Sequence, residues 1–83
     1  MTPNEIIIRQ FLEAVENQLR DNDPVETAQT LARLKEAGYS EKDAKLLIAQ
    51  CVGKEVFDVM SSGAAFNEER YVANLRRLPE EPE

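Results

Sequence analysis

Histidine and tryptophan are absent from this chain of 83 residues, and there is a single cysteine, Cys51. Losing histidine removes the commonest general base and the commonest imidazole metal ligand together. Dinuclear metal sites on helical bundles combine Glu with a Glu-x-x-His pair, so Glu13, Glu16 and Glu55 read as solvated or rim charges. One cysteine excludes an intrachain disulfide framework and fits a reducing cytosol. The three glycines, Gly38, Gly53 and Gly63, stand too far apart for a phosphate-binding loop. A basic excess is also missing: ten basic against sixteen acidic side chains give a net charge of −6, which argues against a nucleic-acid partner. No apolar run approaches the about 18 residues of a membrane span, and Met1-Thr2-Pro3-Asn4-Glu5 lacks the basic start of a signal peptide. What remains is a soluble, cytoplasmic, non-enzymatic protein with no cofactor, no metal and no membrane or small-molecule ligand implied.

What the chain does contain is helix punctuation. Thr2-Pro3-Asn4-Glu5 has the form of a capping box with proline at the first helical position. It predicts a helix to about Arg20 that docks through Ile7, Ile8, Phe11, Leu12, Ala14, Val15 and Leu19, with Ile6 pointing away. Asp21-Asn22-Asp23-Pro24 breaks the pattern, and Asp23-Pro24-Val25-Glu26 repeats the cap, with Asp23 as N-cap. The second helix carries Ala28, Leu31, Leu34 and Ala37 and stops at Gly38, which takes the left-handed position, with Tyr39 following it.

Ser40 then opens a long third helix, about 41–62, with Asp43 at its third position and Gly63 beyond its end. On a wheel, Ile48, Val59, Val52, Val56, Ala49, Met60, Gly53, Leu46 and Phe57 cover half its circumference, interrupted only by Lys45. That makes it the central helix, about 30 Å long. Gly53 inside this arc predicts close approach by another helix, with a kink as the alternative. Asn67 caps a fourth helix, Phe66 and Tyr71 occupy the two positions of a hydrophobic staple, and Pro79 ends it. The expected fold is all-α: one domain over residues 1–79, a compact bundle of about four helices around the third, then a disordered acidic tail over 80–83.

Two local resemblances accompany this reading. Ala37-Gly38-Tyr39-Ser40-Glu41-Lys42-Asp43-Ala44 resembles the first corner of ubiquitin-associated-type three-helix modules, over about thirty residues from Asp23 to Val52, although it lacks the methionine usual before that glycine and its second helix is longer. Across a wider span the chain resembles small uncharacterised all-α bacterial proteins, through Val15-Glu16-Asn17-Gln18, Asp23-Pro24-Val25-Glu26-Thr27, Gly38 before the long helix and Phe66-Asn67-Glu68-Glu69-Arg70-Tyr71. Such families carry no assigned activity to transfer. Some relatives place histidines four apart where Ile8 and Leu12 stand here, so a metal site of theirs has no ligands in this chain.

Function is therefore expected to be association, as a homodimer or with a protein partner. Ala44, Leu47 and Cys51 lie on the side of the third helix away from its apolar arc, and with Ile6 they form the candidate interaction surface. Cys51, in mid-helix, has no cation or helix N-terminus to activate it and reads as a buried structural thiol. An alternative function follows from Thr30–Leu47, which has the outline of a DNA-binding helix-turn-helix with Gly38 in its turn; its second helix presents the mixed charges Glu41, Lys42, Asp43 and Lys45.

Overall fold

The computed structural model describes residues 2–82. Four helices make up most of it: α1 (Pro3–Asp21), α2 (Val25–Glu36), α3 (Glu41–Ser62) and α4 (Glu68–Arg77), with no strand among the described residues. The fold is all-α, and α3 is the longest helix and packs against each of the other three.

The helix ends sit where local chemistry dictates. Thr2 accepts from the Glu5 amide while the Glu5 carboxylate accepts from the Thr2 amide, completing the capping box. Asn22 ends α1 in the left-handed conformation at φ 53°, and the Asp23 amide returns to the Gln18 carbonyl, closing a Schellman turn. The same turn ends α2, with Gly38 at φ 106° and the Tyr39 amide donating to the Leu34 carbonyl. Ser40 and Asn67 accept from the Asp43 and Arg70 amides and cap α3 and α4. The staple forms as expected: Phe66 and Tyr71 meet edge to face with ring centres 5.6 Å apart.

One cap differs from expectation. Pro24, at ψ 152°, is itself the flanking residue of α2, so Asp23 lies one position too far back and no side chain caps this end. The inward face of α2 differs too. Thr27, Thr30 and Leu34 are its buried residues, while Ala28 and Leu31 are half-buried and Ala37 is exposed. Threonine can be buried here because its hydroxyl finds a partner inside: Thr27 donates to Gln18 Oε1 at 2.7 Å.

The core combines Val15 of α1, Leu34 of α2, Ala44, Ile48, Ala49, Cys51 and Val52 of α3, Tyr71 and Leu75 of α4, and Leu78. Burying each Val, Leu or Ile stabilises the fold by roughly 1.5–3 kcal/mol before entropy is counted. α1 runs antiparallel to α3: Glu16 is paired with Lys45, whereas Phe11, five residues earlier, lies over Gly53, eight residues later. α4 does not pack directly on α1 and is held by α2 and α3. Arg33 of α2 reaches the open end of α4, donating at 2.9 Å to the Leu78 carbonyl and to the Leu75 carbonyl, which also accepts from the Leu78 amide. Beyond α4, Glu81 and Pro82 share the lining of an open hollow with Gln50, Lys54 and Phe57 of α3. Met1 and Glu83, the outer ends of the expected domain and tail, lie outside the described residues.

Candidate functional site

The buried face of α3 is turned roughly a quarter circle from the apolar arc read off its wheel, at 100° per residue. Ala44, Ile48, Cys51 and Glu55 are fully buried, with Ala49 and Val52 nearly so. Phe57 and Met60, which the arc would have placed inside, are 65% and 81% exposed. The rotation corrects the candidate surface directly. Ala44 and Cys51 have no accessible surface and lie in the core that α3 shares with the other helices; Leu47 is half-buried against the same core. Of the four candidates only Ile6 stays exposed. The structure does not bring it together with the other three.

Burial also settles the chemistry of Cys51. Its thiol is pushed up to about 11 by loss of water, so it is protonated at neutral pH and a poor nucleophile.

Glu55, read from the sequence as a rim charge, is instead fully buried on α3. Its carboxylate accepts from Arg70 Nε at 2.6 Å and Nη2 at 3.0 Å, and from the Asn67 amide at 3.0 Å. Arg70 also reaches Asp58 at 2.8 Å. The Arg70 guanidinium holds the Glu55 carboxyl below its ordinary value, against the opposing effect of burial and with help from the Asn67 amide. This is a clamp between α3 and the start of α4. Every strong acceptor on it is matched by a donor, which suits a structural joint better than a reacting group. A signal existed in the sequence: on the wheel Glu55 lies beside Ile48, in the middle of what became the buried face.

A second polar joint lies on the other side of α4. Tyr71 donates to Gln18 Oε1 at 2.7 Å, and Thr27 donates to the same oxygen, so one amide of α1 ties α2 and α4 together. Among the described residues no group of three or more Cys, Asp or Glu is arranged to hold a metal ion, and no helix is long and apolar enough to cross a membrane. A hollow of about 580 Å³ between Glu26, Glu68, Glu69, Val72, Ala73 and Arg76 is ringed by charges of both signs that water can satisfy. At the α2–α3 corner, Lys35 is paired with Glu41, and Lys45 with Glu16 and Glu41, while Lys42 is exposed.

The surface with the strongest physical claim lies along the opposite side of α3. Leu46, Gln50, Gly53, Phe57 and Met60 follow one another at steps of four, three, four and three residues, forming a stripe of the 3.5-residue period used by paired helices. α1 crosses this stripe where Phe11 lies over Gly53. A Cβ on Gly53 would stand 2.9 Å from Phe11 Cε2, so the missing side chain is what permits the crossing, and α3 continues through Gly53 as one uninterrupted helix. Beyond the crossing neither helix covers the other. Residues 3–10 of α1 are all exposed, including Ile6, Ile7 and Ile8 at 45–46%, and Phe57 and Met60 are open on α3. The result is a splayed apolar wedge. Beside the crossing lies a mainly apolar hollow of about 330 Å³ lined by Ile8, Phe11, Leu46, Ala49, Gln50 and Gly53.

The crossing makes a testable demand. Gly53→Ala gains about 1 kcal/mol of helix propensity but must displace Phe11 at about 2 kcal/mol, for an expected net loss near 1 kcal/mol in urea unfolding. In a Phe11→Ala background the same change is expected to stabilise, and an unchanged sign would show that Phe11 does not define the crossing.

Comparison with protein-family models, curated proteins and solved structures finds no match for this chain.

Proposed function

We propose that this protein is a small, non-catalytic helical interaction module that self-associates. The observation that carries the reading is the splayed wedge: large apolar side chains from two helices remain 45–81% exposed at the same end of the bundle, although the domain has only a small core. A soluble monomer gains nothing from Phe57 and Met60 in water, whereas covering them with protein is favourable by about 25 cal/mol per Å² of apolar surface. A matched buried clamp at Glu55, a protonated buried thiol at Cys51 and the absence of histidine give no side chain the position of a catalytic base or nucleophile.

Sedimentation equilibrium across micromolar concentrations tests the reading. The expected result is a concentration-dependent rise from 9.4 kDa toward twice that mass. A constant monomer mass would overturn self-association, and a protein that also binds no apolar dye would overturn the association reading as a whole.

A further inference from the structure

We draw no further inference here: the strongest candidate, the apolar surface patch where α1 and α3 splay apart beyond the crossing of Phe11 over Gly53, carries nothing further, because nothing in the structure shows what covers it.

Discussion

Tyr71→Ala is expected to cost about 4 kcal/mol and to release α4 from the bundle, whereas Tyr71→Phe is expected to cost about 1 kcal/mol. Tyr71 has no exposed surface, is the largest fully buried side chain, and meets Phe66 edge to face. Removing its ring opens a cavity against α3 and abolishes the staple at the start of α4. Removing only its hydroxyl loses one hydrogen bond to Gln18, which retains the one from Thr27. Since α4 does not pack directly on α1, that hydroxyl is its hydrogen-bonded reach across to the first helix. A domain of this size has about 4–12 kcal/mol of stability in total, so the alanine variant should be largely unfolded at moderate temperature. Urea unfolding of the two variants separates ring from hydroxyl; equal losses would show that the hydrogen bond, and not the packing, holds α4.

Replacing Glu55 is expected to have the second largest effect. Glu55→Ala removes three acceptor contacts, strands the Asn67 amide and leaves part of the Arg70 charge without its buried partner. Breaking a fully buried ion pair costs about 3–5 kcal/mol. Arg70 is 37% exposed and keeps Asp58, so water and the second carboxylate recover part of that, and the expected loss is about 2–3 kcal/mol. Glu55→Gln keeps an acceptor for the Asn67 amide and should lose about half as much. The clamp also carries a pH signature. Its carboxyl titrates below the ordinary value of 4.5 in the folded protein, so the unfolded chain binds the proton first as pH falls. The stabilisation is fully present above 4.5 and is lost as pH drops through the folded value. Below pH 4.5, therefore, the gap in stability between wild type and Glu55→Gln should narrow. A constant gap from neutral to acid pH would show that the charge on Glu55 is not what makes the clamp.

The alkaline limb runs the other way. Burial pushes Cys51 from 9.0 to about 11 and Tyr71 from 10.0 to about 12. Both contributions are intact below the unfolded values and are lost as pH rises through the folded ones, so the core weakens between about pH 9 and 12.

Much of the fold was legible in the sequence, and the reason is local chemistry. The Thr2 capping box, the left-handed turn at Gly38, the Ser40 and Asn67 caps and the staple of Phe66 on Tyr71 each depend on residues within about five positions of one another, and each formed as read. The close approach at Gly53 was legible as well, because a glycine inside a long apolar helix is costly without a neighbour that needs the space. Asp23 was read one residue too early as a cap because Pro24 stands outside its helix.

The candidate site was poorly legible, and two residues show why. Cys51 and Phe57 are both compatible with a core, and no local rule says which one faces inward. The wheel ranked positions by hydrophobicity and set Phe57 within the apolar arc and Cys51 off it, although Cys51 by its own chemistry read as a buried thiol, as it is. Packing buried Cys51 and left Phe57 in water, since small side chains such as Ala44 and Cys51 allow close approach on that side of α3, and close packing is decided by volume as well as by polarity. Glu55 was misread for a related reason. A lone carboxylate in a helix is normally solvated, and only the fold brings Arg70 and the Asn67 amide, fifteen and twelve residues away, to meet it.

The sequence by itself determined the number of helices, most of their ends and the central place of the third, because capping and helical periodicity act over a few residues. Tertiary structure decided which face of that helix is buried, whether Glu55 is solvated or clamped, and which apolar residues are left in water. Those outcomes depend on how four amphipathic surfaces share one small core. Three helices cannot cover both sides of α3, and the side they leave open is set by where small residues allow the closest packing.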